Sequence, residues 1–377
     1  MDLDDVTSYS KVDRDDMLSK ILKFPDALVE AYDEFLNIDF PKEIRIGKIS
    51  ISYGYPSNIV ICGMGGSAIG GDIVKYWLME RIPIHIDVVR NYVIPSYVNE
   101  RTLALIVSYS GNTEEALFCL NHALRRKAMV ITITSNGLLE HYSSMFGLPM
   151  FKLPKGFPPR AALPYLFTAM ATAMEKIGIE IDVHRHINNA YEVLAHLREA
   201  IKPEVPLEKN IAKQLALSIN GTIPLIYAYV TYYPAAFRFK TQLNENSKYP
   251  ASCEVLPEMN HNGIMGWEAR DLIKDLLAIF LIGGDEPKEV LTRIEVTSEI
   301  ISDIGAKVMK INAKGTDLLT RMLYLIYLGD FTSYYLAIAR DVNPTPVPSI
   351  SRLKEELNAR LSTKKRIDKS LRELLSE

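Results

Sequence analysis

The sequence predicts an α/β protein of two doubly wound parallel-sheet domains, and three observations carry that expectation. Short apolar runs, such as Asn58-Ile59-Val60-Ile61-Cys62 and Leu276 to Ile282, alternate with helical patterns along the chain. The runs are apolar at nearly every position, as in strands covered on both faces; a half-exposed strand would alternate. The same succession of elements also occurs twice, with corresponding pieces roughly 160–180 residues apart, a spacing too long for a solenoid and suited to a duplicated domain. A chain of 377 residues is in any case too long for one ordinary core.

Element by element, the first forty residues read as charged amphipathic helix, with Met17, Ile21, Leu22, Leu28 and Phe35 as its apolar positions. The strand Asn58 to Cys62 ends abruptly at Gly63. Further strands are expected at Ile84 to Val89, Leu103 to Val107 and Met129 to Thr134, with helices at Glu114 to Arg126 and Ala161 to Ile177. In the second half, Pro224 to Val230 reads as a strand and leads into a helix through Asn246. Leu276 to Ile282 is a strand closing on Gly283-Gly284, then a helix around Val290 to Ile304 precedes a strand at Lys307 to Ile311 and a long helix at Asp317 to Arg340. The expected organisation is an N-terminal helical segment (1–40), a first domain (41–185), a second domain (186–350) and a C-terminal helix (351–377), with the junction inside Gly178 to Pro206. A proline-rich stretch, Asn343 to Pro348, precedes that last helix, whose apolar positions are Leu353, Leu357, Leu361, Ile367 and Leu371.

Composition removes several classes of function. Hydrophobic residues at 48% and charged residues at 24% are the balance of a globular protein. The net charge of −3 includes no basic block, so no nucleic-acid partner is expected. Cys62, Cys119 and Cys253 are an odd set without CxxC spacing, which argues against both a disulfide framework and a zinc site. His184 and His186, near Asp182, stand at i,i+2 in the junction and complete no ligand set, so no metal is expected. The opening Met1-Asp2-Leu3-Asp4-Asp5 has the wrong charge for a signal peptide. The apolar run Ala161 to Met174 is too short to span a bilayer and contains Pro164. The expectation is a cytoplasmic protein with no membrane partner.

Two strand ends carry unusual loops. Gly63-Met64-Gly65-Gly66-Ser67-Ala68 lets backbone approach a ligand closely and leads into a helix whose amino end offers free amides. Ser108-Tyr109-Ser110-Gly111-Asn112-Thr113 places three hydroxyls where a strand turns into a helix, a set of neutral donors suited to phosphate. Serine and threonine are also ordinary helix caps, and glycine is ordinary punctuation after a strand. Gly63-x-Gly65-x-x-Ala68 matches the dinucleotide fingerprint as well, with Asp87 at a plausible distance for a ribose contact. Asp87, however, lies within its strand and not at the end, and a dinucleotide fold has no use for the second, hydroxyl-rich loop. No cofactor is expected.

These two loops together resemble the sugar isomerase (SIS) domain family, whose folds bind phosphosugars. Pro158-Pro159-Arg160-Ala161-Ala162-Leu163-Pro164, Asn244-Glu245-Asn246-Ser247-Lys248, Asn260-His261-Asn262-Gly263-Ile264 and the closing Pro346-Val347 to Leu353-Lys354 are similar to motifs of the archaeal-type bifunctional phosphoglucose/phosphomannose isomerases. The resemblance covers residues 45 to 357 and leaves the first forty residues and the tail without a role. It implies two SIS-type domains and a hexose 6-phosphate held against Gly66, Ser67, Ser108, Ser110 and Thr113. It further implies Arg160 beside the reacting carbons, Glu245 as proton-transfer base, and His261 and Lys354 assisting ring opening. A homodimer in which the histidine serves a neighbouring subunit's site is implied too.

The residue types suit the implied chemistry. Aldose–ketose isomerisation carries a proton between C1 and C2 through an enediolate, so one carboxylate suffices. An arginine supplies a fixed planar charge for the enediolate oxygens, and a histidine titrates in the range needed to move protons between O5 and O1. A non-catalytic sugar-phosphate sensor would need the loops but not Arg160, Glu245 and His261 together. A glucosamine 6-phosphate-forming amidotransferase would need a leading cysteine, whereas the first here is Cys62.

Overall fold

The uninterrupted apolar runs form buried strands in the computed structural model, which describes residues 2–376. The chain divides into two units. One, the amino unit, comprises Asp26–Arg185 and the chain from Val347 onward; the other, the carboxy unit, comprises the chain up to Pro25 and His186–Pro346.

In the amino unit, β1 (Glu43–Ile46) and β2 (Ile49–Ser52) pair as an antiparallel hairpin. The main sheet contains β3 (Asn58–Cys62), β4 (His85–Val89), β5 (Thr102–Ser108), β6 (Met129–Thr134) and β7 (Met150–Lys152). Their spatial order is β4-β3-β5-β6-β7, and every pair is parallel. All of β5 and β6 is buried, which is why their sequences show no alternation. The strand order reverses between β3 and β5, so a crevice is available beyond their carboxyl ends, where ligands of open α/β sheets bind. Register pairs Cys62 with Ile106, and both unusual loops therefore leave neighbouring strand ends.

The tail has a packing role that its spacing only partly announces. The helix Thr363–Glu373 inserts Ile367 and Leu371 into the amino unit's core, in one cluster with Leu117, Leu120 and Leu124. Tyr142 donates a hydrogen bond to an Asp368 carboxylate oxygen at 2.5 Å. The preceding helix, Pro348–Leu361, buries none of its residues.

The carboxy unit repeats the plan with β8 (Ile223–Tyr229), β9 (Ser252–Leu256), β10 (Leu276–Ile282) and β11 (Lys307–Asn312). The order is β11-β10-β8-β9, again all parallel, with its reversal between β8 and β10. The helix Leu318–Ala339 is long and apolar enough to cross a bilayer, but nearly all of it is buried as a core helix of this unit. Its Asp330 forms a bidentate pair with Arg238 at 2.9 and 2.7 Å, so the one carboxylate within it is neutralised where it is buried.

The amino-terminal segment is broken into Tyr9–Val12, Met17–Leu22 and Phe24–Phe35. Asp13 explains the first break, because its carboxylate accepts from the amides of Met17 and Leu18 and so starts a new helix. Up to Pro25 this segment is part of the carboxy unit: Lys213, fully buried, reaches Asp4 at 2.9 Å, and the Tyr9 ring lies 6.1 Å from that of Tyr334. The stretch Gly178 to Pro206 contains a helix, Val183–Ile201, whose inward positions are Val183, Ile187, Ala190, Leu194, Leu197 and Ile201. Within it His186 faces Asp317 at 3.5 Å, and His184 lies against Tyr32 with ring centroids 5.7 Å apart.

Candidate active site

The loop after β3 starts from a glycine the packing demands. A Cβ on Gly63 would stand 3.0 Å from the Val107 carbonyl oxygen and 3.3 Å from Ser67 Cβ. Gly65 then takes a positive φ of 52° and caps the helix Gly66–Leu78 without a side chain. Ser67, in the first turn, is buried, and its hydroxyl oxygen accepts from the Tyr109 amide at 3.3 Å. That bond joins the glycine loop to the loop after β5.

The second loop is braced from several sides. Ser108 donates to the Thr113 hydroxyl at 2.9 Å, and Thr113 precedes the helix Glu114–Arg125 without capping it through its side chain. The Thr113 hydroxyl accepts in this bond and keeps its own O–H to donate. Ser110 Oγ accepts from the Asn112 amide at 3.3 Å, and the Asn112 side chain donates back to the Ser110 carbonyl at 3.1 Å. Ser135 donates to the Tyr109 carbonyl at 2.6 Å, while the Tyr109 hydroxyl donates to Pro154 O at 2.7 Å and accepts from the Phe157 amide at 2.9 Å. Gly111, with φ of 66°, sits where a Cβ would overlap the Asn136 carbonyl.

Arg160 joins this group. It lies in the turn Pro159–Ala162 and is only 3% exposed. A Cβ on Gly66 would stand 2.8 Å from Pro159 O and 3.0 Å from both Arg160 N and Cα, so the glycine permits the approach. Gly66, Ser67, Ser108, Ser110, Thr113 and Arg160 are therefore one neighbourhood at the β3/β5 crevice. It brings together a helix amino end, neutral hydroxyls and the backbone of an arginine turn, residue types suited to a phosphorylated, oxygen-rich ligand.

Asp87 is engaged elsewhere. It sits inside β4, accepts from the Tyr97 hydroxyl at 2.5 Å and lies 3.6 Å from Lys75. Its mid-strand place and these partners remove it from a ribose-binding role.

The remaining candidates are placed as follows. Glu245 is the last residue of the helix Tyr233–Glu245 in the carboxy unit and is half-buried. His261 closes the 3-10 turn Glu258–His261 and is exposed. Its neighbour Asn260 donates to Thr297 at 2.7 Å, and Asn262 to Glu258 at 2.7 Å, which holds the turn around the histidine. Lys354 is exposed on the helix Pro348–Leu361, in the amino unit.

The carboxy unit's own crevice is built differently, a feature the sequence reading did not extract. Glu286 turns back after β10 and accepts from the Gly283 amide at 2.6 Å and the Gly284 amide at 2.7 Å. Asp285 accepts from Tyr232 at 2.5 Å and pairs with Arg321 at 2.6 Å. The amides and the cation that could face an anion there already hold carboxylates of the chain itself. Two acids directly after a Gly-Gly strand end were the signal available.

A profile for the SIS domain matches residues 56–139, and one for the bacterial phospho-glucose isomerase C-terminal SIS domain matches residues 208–357. Among known proteins, a bifunctional phosphoglucose/phosphomannose isomerase of Caldicellulosiruptor bescii is 37% identical over 343 residues, 90% of this chain and 98% of that one. The chain belongs to the bifunctional phosphoglucose/phosphomannose isomerase family. A second member of the family, from Aquifex aeolicus, is 35% identical and covers 79% of this chain and 90% of its own. The fold has a solved counterpart in a glucose-6-phosphate isomerase like protein from Thermus thermophilus, with a TM-score of 0.61 and 19% identity over 92% of this chain and 98% of that one.

Proposed function

We propose that this protein interconverts glucose 6-phosphate and fructose 6-phosphate, and likewise mannose 6-phosphate and fructose 6-phosphate. The observation that carries the reading is the β3/β5 crevice, where the glycine loop, the Ser108–Thr113 pair and Arg160 come together. The family relatives supply the reaction.

In this reading the first sequence domain, 41–185, supplies Gly66, Ser67, Ser108, Ser110 and Thr113 for the phosphate, and Arg160 for the developing enediolate. The second, 186–350, supplies Glu245 and His261. His261 and Lys354 relay protons between O5 and O1 to open the ring. Glu245 takes the C2 proton of the open-chain aldose as electrons move onto O1, and Arg160 stabilises the resulting cis-enediolate. Passing the O2 proton to O1 and returning the first proton to C1 gives the ketose. Protonating C2 from one face or the other, after rotation about C2–C3, gives glucose or mannose stereochemistry. No step in this reading uses a metal or a nicotinamide. The enzyme works in the cytoplasm as a homodimer in which His261 serves the neighbouring subunit.

The test is incubation of the pure protein with fructose 6-phosphate in deuterated buffer containing EDTA, followed by chromatographic separation of the hexose phosphates. Both aldoses should form and carry deuterium at C2. Glu245→Gln should still bind the sugar phosphate while isomerisation and exchange fall together by roughly 10²–10⁴-fold, the worth of a positioned general base. A Glu245→Gln enzyme within a few-fold of wild type would refute the assignment. Binding of fructose 6-phosphate with no proton exchange would make the protein a sensor.

A further inference from the structure

We propose that Lys248 is the positioning residue for the proton-transfer base, acting as an ammonium clamp on the end of the helix that carries it. The proposal rests on Glu245 being that base. Glu245 is the final residue of Tyr233–Glu245, and a helix end is where carbonyls lack intrahelical partners and the backbone frays. A proton carrier there needs an external anchor, because misplacement by an ångström costs about 100-fold in rate.

Lys248 supplies it. Its Nζ donates to Glu245 O at 2.8 Å, Asn343 O at 2.9 Å and Pro344 O at 2.9 Å, with Asn246 O at 3.3 Å. An ammonium has three N–H donors, which matches the three shorter bonds. The helix has no basic residue in its own last turn, so Lys248 is the cation that meets its negative end. To reach back, Lys248 takes a φ of 51°, a left-handed conformation unfavourable for a residue with a Cβ and kept here by the carbonyl cage. The abutment is firm: Pro344 is buried, and Asn343 accepts from the Thr345 amide at 3.1 Å and donates to Asp15 at 2.9 Å.

The other side of the helix end is already fixed. Gln242 donates to Asp330 at 3.0 Å, Asn246 to Ser333 Oγ at 3.0 Å, and Ser247 to Ser333 O at 2.6 Å. Lys248 therefore governs the remaining freedom, that of the terminal peptide of Glu245 itself. Its side chain is exposed, so replacing it leaves the core intact.

The experiment compares Lys248→Met, Lys248→Arg, Glu245→Gln and the Lys248→Met/Glu245→Gln double variant in the full-length enzyme. Lys248→Met keeps an unbranched, largely apolar chain and loses the ammonium. Its kcat on fructose 6-phosphate should fall on the order of 10- to 100-fold while KM stays within about twofold, at a temperature where it is fully folded. Lys248→Arg, with a planar fork in place of a compact three-donor head, should recover part of the loss. The double variant should be no slower than Glu245→Gln, since the clamp acts only through the carboxylate. A Lys248→Met kcat within twofold of wild type, or a double variant whose losses multiply, would overturn the clamp while leaving the base intact. An active Glu245→Gln would instead overturn the base, and with it the purpose of the clamp.

Discussion

Gly66→Ala tests the candidate site through a single methyl group. The added Cβ would lie 2.8 Å from Pro159 O and 3.0 Å from the backbone N and Cα of Arg160, against about 3.4 Å for an ordinary contact. The obstacles are backbone atoms, so no rotamer change relieves them, and the Arg160 turn or the first helical turn must retreat by roughly half an ångström. Overpacking of that kind lowers stability by about 1–3 kcal/mol. If Arg160 stabilises the enediolate and Gly66 lies against the phosphate, the same retreat disturbs both. A half-ångström error should cost on the order of 10-fold in kcat, scaled from 100-fold per ångström. KM should rise as well, because the glycine loop moves. The assay is coupled isomerisation of fructose 6-phosphate with the thermal midpoint measured in parallel. Gly54→Ala is the control: its Cβ meets nothing within 4 Å, and Gly54 is not in the left-handed region. That variant should match wild type in both measurements. A Gly66→Ala enzyme with kcat/KM within twofold of wild type would show that the Arg160 turn does not serve the reaction where the structure puts it.

Arg238→Met should lower stability by about 3–5 kcal/mol, because it strands the buried Asp330 carboxylate without its cation; denaturant unfolding would read the loss, and a change under about 1 kcal/mol would contradict it. Calorimetric titration should find one hexose phosphate bound per chain, since Glu286 and Asp285 fill the second crevice; two equivalent sites would refute that reading. Asp317 caps the helix Leu318–Ala339, and although burial pushes its carboxyl up, the His186 ring 3.5 Å away and hydrogen bonds from the Thr320 amide and hydroxyl hold it below the ordinary carboxylate range. Its folded pKa is below the unfolded one, so its contribution is complete above an unfolded value of about 3.9 and fades as pH falls toward the folded pKa. Asp317→Asn should therefore melt lower than wild type at neutral pH, with the gap narrowing in acid below about pH 4; a gap that widens there would reverse the sign.

The strands were the legible part of the fold. β3, β6 and β10 begin and end where the sequence places them, because a strand buried on both faces carries few polar positions to blur its limits. The hairpin Glu43–Ser52 was not legible: its alternation is brief, and half of each strand faces outward. β9 was missed for the same reason, with only Leu256 of its five residues buried. Within the site, the glycines and hydroxyls could be read because they cluster in sequence at strand ends. The contacts that hold them could not. Ser135 to Tyr109, Gly66 to Arg160 and Lys248 to Asn343 join residues far apart in the chain, and no local spacing encodes them. The family motif Asn244 to Lys248 was recognised as a block, yet only the structure separates its parts: Asn246 and Ser247 bond to Ser333, and Lys248 bonds to carbonyls around Glu245.

The duplicated sheet poses the same electrostatic problem twice and answers it in two ways. At each reversal of strand order, glycine-rich turns leave backbone amides pointing into a crevice, and unsatisfied amides in a partly buried place are costly. In the carboxy unit the answer is permanent: Glu286 bonds two of those amides, and Asp285 neutralises Arg321. In the amino unit the corresponding loops are braced by the neutral groups Ser67, Ser108, Ser110 and Thr113, and among the described residues no carboxylate turns back into them as Glu286 does. A crevice lined by uncharged hydroxyls, with no carboxylate bonded to its loops among the described residues, remains suited to an anion from outside the chain. In the proposed reading, the charge placed at positions 285 and 286 would leave the hexose phosphate to the first frame and the base to the second.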